Sequence, residues 1–166
     1  MFFKKTLHQE RMEIDSYQVK IEVSKHPKLK QQLNMLKLTD KDLKYLSAFQ
    51  PYVEKNINDI IDSFYAVLGV DSSLVKIINE HSSVERLKVT LKKHIYEMFS
   101  GVIDEEFIQK RKRIAHVHVY IGLPTQSYLA AFQNLNFSFI QYVQDYIPHT
   151  QDQFSILAAI SKMLNL

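Results

Sequence analysis

Lys110–Pro124 reads KRKRIAHVHVYIGLP, and the way its two histidines divide between the faces of one helix decides how the whole chain is understood. A helix turns by about 100° per residue, so His116 and His118 point to nearly opposite sides. His118 shares its side with Ile114, Ala115, Ile121 and Gly122, an apolar and partly small surface on which a flat hydrophobic ring system can lie. His116 faces Lys112, Arg113 and Tyr120 and is expected in solvent. An imidazole has an ordinary pKa of about 6.5 and is mostly neutral at pH 7, which leaves a lone pair for a metal. A core histidine bonded to a backbone carbonyl gives the same pattern, and periodicity alone does not separate the two.

The rest of the chain reads as helices on either side of this one. Asp104 opens the His118 helix and Gly122 ends it. Upstream, Thr39 with Asp42 resembles a capping arrangement, and Leu43, Leu46 and Phe49 recur at helical spacing until Pro51, which predicts a helix of about three turns. Pro51 suits the start of a second helix, whose stripe of Val53, Ile57, Ile60, Ile61, Phe64, Tyr65 and Leu68 stops at Gly69. A short helical segment spans Asp71–Glu80, and Ser82 or Ser83 caps a helix carrying Leu87, Leu91, Ile95 and Met98 to Gly101. Downstream, Pro124 starts a long helix with Tyr128, Phe132, Leu135, Phe139, Tyr142 and Tyr146 on one face until Pro148. In the last helix Phe154, Leu157 and Leu164 lie on one side and Ile156, Ile160 and Met163 on another, so two faces want burial. Residues 1–27 are polar and patchy and read as an N-terminal extension ending at His26–Pro27, with residues 28–166 as one domain.

Composition narrows the chemistry. A chain of 166 residues with three Gly and four Pro has little material for the tight turns of an all-β fold, and an all-α domain is expected. With no cysteine, disulfides, thiolate metal sites and cysteine nucleophiles are excluded, leaving His, Tyr, Met or carboxylate as metal ligands. The net charge of +3 from 21 basic and 18 acidic residues is interspersed, so nucleic acid is not an expected partner. No stretch approaches the roughly 18 apolar residues of a membrane span, and Met1–Lys5 leads into polar sequence, so a cytoplasmic location is expected. The basic run Lys110–Arg113 reads as a solvated helix face. There is no carboxylate pair in an apolar setting, no glycine-rich phosphate loop and no Gly-x-Ser-x-Gly elbow. The histidine spacings also lack the i, i+4 pair of helical zinc sites, and no catalytic residue is assigned. Tyr65 and Thr90, taken singly, read as a core phenol and a back-bonded hydroxyl.

The runs DSFYAVL from Asp62, HSSVERLKVTLKKHIYEMFSGVIDEEFI from His81 and KRKRIAHVHVYIGLP from Lys110 resemble the globin domain of the haem-based aerotaxis transducers (HemAT), which are globin-coupled sensors. The resemblance extends from about residue 30 to the C-terminus. It implies a globin fold holding haem b, with His118 as proximal iron ligand. Tyr128 stands beside it, Tyr65 and Thr90 act as distal hydroxyl donors, and Leu87 and Phe64 line the pocket. His94, one turn beyond Thr90, is expected near the haem edge or a propionate, and His81 is a weaker candidate for the same edge. One basic side chain of Lys110–Arg113 is a further partner for a propionate. Bound oxygen carries partial negative charge that a donor stabilises, whereas carbon monoxide carries much less.

The resemblance further implies an oxygen sensor for aerotaxis, open also to carbon monoxide and nitric oxide, that is not an enzyme. It implies a homodimer in which the last two long helices form a four-helix bundle. Ser127 stands where the family often has tryptophan, so packing against Tyr128 is expected to be looser. The transducers continue into a coiled-coil signalling region that nothing after Leu166 supplies, which fits an excised domain or a single-domain relative. Two rivals remain at this point, a haem-free globin-like interaction module and a globin that consumes nitric oxide with bound oxygen.

Overall fold

The computed structural model describes residues 10–166; the first nine residues of the expected extension, including Met1–Lys5, lie outside the described residues. Helices follow one another as α1 (Pro27–Leu36), α2 (Asp40–Leu68), α3 (Ser72–His81), α4 (Val84–Met98), α5 (Glu105–Tyr120), α6 (Thr125–Tyr146) and α7 (Thr150–Leu164). Two short strands, β1 (Lys20–Ile21) and β2 (Val102–Ile103), pair in parallel. The all-α expectation holds, with this one small pairing added to it.

The longest helix departs from the expected boundary. Thr39 and Asp42 form a reciprocal capping box, with the Thr39 N–H donating to Asp42 Oδ2 at 2.8 Å, but α2 then runs through Pro51 without a break. The proline ring removes one backbone bond, at a cost of ~3 kcal/mol in a helix interior. Burial on both sides offsets it: Leu43, Leu46 and Phe49 before Pro51 and Val53, Ile57, Ile60 and Ile61 after it are all core residues. Burying even two such side chains is worth about 3–6 kcal/mol, so the helix continues. A helix that the sequence reading did not assign, α1, has Pro27 in its first turn and ends at Lys37 in the left-handed conformation, φ 51°.

Helix α2 is the axis of the molecule and packs against α4, α6 and α7, while α6 and α7 pack on each other. The core they share holds Phe49, Phe99, Phe139, Ile95, Leu135, Ile156 and Ile160, all essentially inaccessible. The described part of the extension is tied down rather than trailing. Lys20 N–H donates to Gly101 O at 2.9 Å and Glu22 N–H to Ile103 O at 2.8 Å. Arg11 Nε and the Met12 N–H both reach the buried Asp152 of α7 at 2.8 Å.

Candidate functional site

Helix α5 carries His118 and stands apart from the helical core. It approaches the β2 strand closely but meets the other helices only at isolated points. Its buried residues, Phe107 and Ile108, sit in the first turn, and further along Ile114, His118 and Ile121 are only half-buried. The same gradient runs through α4, whose second half buries Ile95 and Met98 while Leu87 and Leu91 in its first half are half-exposed. In α6 the buried positions are Ala131, Leu135, Phe139 and Val143, with Tyr128 and Phe132 half-exposed near its start. Leu87, Ile114, Ile121, Tyr128 and Phe132 belong neither to the main core cluster nor to the side chains packed on it. Apolar side chains held half-open on three helices leave a surface that an apolar partner could cover.

Local sequence fixes where His118 sits. Asp104 caps α5, its carboxylate accepting from the Phe107 N–H at 3.0 Å. The helix closes with Gly122 at φ 66°, the Leu123 N–H donating to the His118 carbonyl at 3.0 Å and the Gly122 N–H to Val119 O at 3.1 Å. That pairing is a Schellman motif, which requires the left-handed residue that glycine supplies. It places His118 in the last turn, and Pro124 then starts α6 so that Tyr128 returns alongside. The His118 and Tyr128 rings lie 5.4 Å apart, and Tyr128 continues onto Phe132 at 4.5 Å. His116 is exposed, as its helical face predicts.

Burial lowers the pKa of His118, which favours the neutral imidazole. Burial, then Arg111, then His118 push His94 down to about 3. Arg111 Nη1 contacts His94 Nε2, the arrangement expected of a donor meeting a bare ring nitrogen. Arg111 also lies over the Phe107 ring at 4.6 Å, and its Nη2 is buried without a hydrogen-bond partner. Burial lowers Arg111 to about 10, with Glu97 and Tyr128 acting in the opposite direction. The expectation of a solvated basic face therefore holds for Lys112 and Arg113, which are exposed, and fails for Arg111. The available signal was its spacing: Arg111 falls on the Phe107 and His118 side of α5, not on the side of its charged neighbours.

On α2, Phe64 is buried and Tyr65 half-buried, their rings meeting edge-on at 5.3 Å. Burial raises Tyr65 to about 12, so its hydroxyl keeps its proton. Thr90 is exposed and its hydroxyl donates to the Arg86 carbonyl at 3.0 Å, which is the ordinary back-bonded arrangement. No hydrogen bond joins Thr90 to Tyr65 among the described residues. His81 is exposed and its ring approaches Tyr120 at 6.3 Å. Two surface grooves lie elsewhere, one beside α1 lined by Val23, Leu33 and Leu38 and one between α2 and α4 lined by Val53, Ile57 and Val89.

This set of side chains fits haem. It offers a neutral imidazole in the last turn of a helix that stands off the core, apolar side chains on three helices to meet the ring faces, and a buried guanidinium N–H with no acceptor among the described residues. Among the described residues no cluster of three or more His, Cys, Asp or Glu is arranged to hold a bare metal ion, and no helix is long and apolar enough to cross a membrane.

The model of the family described as Protoglobin matches residues 25–166. The heme-based aerotactic transducer HemAT of Halobacterium salinarum is 28% identical over 101 residues, covering 60% of this chain. The chain accounts for 21% of that relative's length. Among solved structures, the globin domain of the Geobacter sulfurreducens globin-coupled sensor superposes with a TM-score of 0.76 at 24% identity, over 82% of this chain and 90% of that one.

Proposed function

The chain belongs to the Protoglobin family, and from that premise we propose that it is a haem-binding gas-sensor domain, with His118 as the iron ligand and oxygen as the signal. The observation that carries this reading is the loss of burial along α4, α5 and α6 around a neutral His118, which leaves half-open apolar walls on three helices. Haem b, when bound, would supply an iron able to take a diatomic gas, whether oxygen, carbon monoxide or nitric oxide.

The protein's own residues do the rest. His118 presents a lone pair because burial disfavours its charged form, and the Tyr128 ring packed against it limits its rotation. Leu87 and Phe64 exclude water from the far side. Tyr65 remains a donor throughout the physiological range, since its pKa is raised to about 12. Thr90 becomes a second donor by turning its hydroxyl away from Arg86 O, a rotation about a single bond. His94, which Arg111 contacts, would lie at the haem edge.

The signal leaves through Tyr128 and α6. Exposed Leu129 and Phe137 on α6 and Phe154 on α7, each 60% or more accessible, suit a homodimer built as a four-helix bundle from α6 and α7. A signalling domain, joined in the same chain or supplied by a partner, reads the change in the cytoplasm, and aerotaxis is the output of the named transducer. A sensor rather than an enzyme is favoured, because the relative that the chain resembles is a transducer.

The test is absorption spectroscopy of the haem-reconstituted protein, ferric, ferrous and under oxygen, beside His118→Ala. The expected result is stoichiometric haem uptake and a stable oxygenated spectrum in the parent, with loss of the five-coordinate ferrous spectrum in the variant. No uptake by the parent would assign the fold to a haem-free interaction module. Sustained, reductant-driven consumption of nitric oxide would assign it to an enzyme.

A further inference from the structure

A half-buried cation with an enclosed Nη2, Arg111, stands beside His94 on the His118 side of α5. Arg111 precedes His118 by about two turns of α5, which returns it to the same face within about 20°. Its guanidinium is packed on Phe107 and touches His94. Both contacts are to uncharged groups, since an imidazole with a pKa of about 3 carries no charge at neutral pH. The carboxylate that Arg111 feels, Glu97, is taken up elsewhere: Lys110 Nζ lies 2.7 Å from Glu97 Oε1 and also 2.7 Å from Glu106 Oε1. Arg111 stays protonated even with its pKa lowered to about 10, so a positive charge sits beside His94 with no carboxylate paired to it among the described residues.

We propose that Arg111 is the cation that sets the haem reduction potential in this cleft, holding the iron in the ferrous, gas-binding state. The inference rests on the haem reading above. Its physics is the sign of the charge. Reduction of ferric to ferrous iron adds one electron and removes one positive charge from the cofactor, so a fixed cation nearby disfavours the ferric state more than the ferrous one. The effect grows as the local dielectric falls. Arg111 is thus a positioning and electrostatic residue, and its role is read in a potential rather than in haem retention alone.

The experiment is a potentiometric titration of the haem-loaded protein, followed by absorbance, for the parent, Arg111→Gln, Arg111→Lys and Glu97→Gln. Removing the cation in Arg111→Gln should lower the midpoint potential, and Arg111→Lys should stay near the parent. Glu97→Gln, which deletes the nearby negative charge and leaves Arg111 in place, should raise it. An unchanged potential in Arg111→Gln would overturn the proposal, as would an equal fall in Arg111→Lys, which would mark a packing role. If Arg111→Gln takes up no haem, Glu97→Gln decides: a rise supports the proposal, and an unchanged or lower potential refutes it. Failure of the haem reading itself shows earlier and differently, as absence of a haem spectrum in the parent, and removes this inference with it.

Discussion

The ring of Tyr128 lies against the ring of His118, centroids 5.4 Å apart and planes inclined at 60°. Two helices meet at this contact, across the turn at Gly122–Pro124 that joins α5 to α6. Tyr128 also rests on Phe132 at 4.5 Å, so it joins the iron-ligand candidate to a helix proposed to carry the dimer interface. Aromatic contacts of this kind are worth about 0.5–1.5 kcal/mol each beyond area burial. Tyr128→Phe keeps the ring and should leave stability in urea within about 0.5 kcal/mol of the parent, while Tyr128→Ala should lose about 1–3 kcal/mol from two such contacts. Haem should also dissociate faster from the alanine variant, measured by transfer to apomyoglobin. Equal haem loss from both variants would move the role from the ring to the hydroxyl.

Tyr65 carries two linked expectations. As a donor to bound gas it should favour oxygen over carbon monoxide. Tyr65→Phe should therefore lower oxygen affinity by about 5- to 150-fold, corresponding to one buried hydrogen bond of about 1–3 kcal/mol. Carbon monoxide affinity should change little, and flash photolysis gives both. The phenol also links folding to alkaline pH. Burial raises its pKa from 10.0 to about 12, so the folded state resists ionisation that the unfolded chain accepts. The stabilisation is complete below pH 10 and is lost as pH rises towards 12. Melting temperatures of the haem-free protein should fall across that window in the parent and fall less in Tyr65→Phe.

Asp152 is 1% accessible, yet it carries a charge whose partners lie far away in sequence. Burial by itself raises its pKa, but the Met12 N–H, Arg11 and the Tyr45 hydroxyl outweigh that and hold the carboxyl below its ordinary range. A lowered folded pKa means that the stabilisation is present above the ordinary carboxylate value, about 4, and is lost as pH falls through it towards the folded value. Asp152→Ala strands the Tyr45 hydroxyl, 3.2 Å away in the parent, together with the Met12 N–H. The loss should be about 1–3 kcal/mol at neutral pH. Chemical unfolding at pH 7 and at pH values below about 4 tests both parts: the variant should be weaker at pH 7, and the gap should narrow in acid.

Much of this was legible in the sequence wherever a local rule and the tertiary environment agree. The caps at Thr39, Asp71, Ser83 and Asp104 all appear where capping chemistry puts them, and His118 rather than His116 turns from solvent because helical phase decides it. Pro51 was not legible, because the proline rule is local while the residues that hold α2 straight come from α4, α6 and α7. Helix α1 was hidden because Leu29, Leu33 and Leu36 recur at helical spacing among lysines and glutamines that mask so short a stripe. Arg111 was hidden by its neighbours: in the run KRKR two of the basic side chains are exposed, and only the phase relative to Phe107 and His118 marks one as turned inward. What anchors the extension was not legible, because Asp152, which holds Arg11, is distant in sequence and looks like any other acidic residue in a first turn.

The last helix has two apolar faces; Leu157 and Leu164 on the second are packed against the core, and Phe154 on that face is left exposed. Ile156, Ala159, Ile160 and Met163 are in the core, while Phe154 remains 68% accessible and Phe137 of the neighbouring α6 is 60% accessible. A second copy of the chain presenting the same helices would cover both through a symmetric interface, in which each residue contributes twice. Burying a phenylalanine is worth about 1.5–3 kcal/mol, so a Phe154→Glu change at a two-fold interface should cost more than that, both by lost burial and by introducing two like charges. The parent should sediment as a dimer at micromolar concentration and Phe154→Glu as a monomer with an unchanged helical circular dichroism spectrum. Phe154 faces water in a single copy, so the substitution should leave the melting temperature of the monomer nearly unaltered. A parent that is monomeric at that concentration would remove the four-helix-bundle interface from the proposed signalling route.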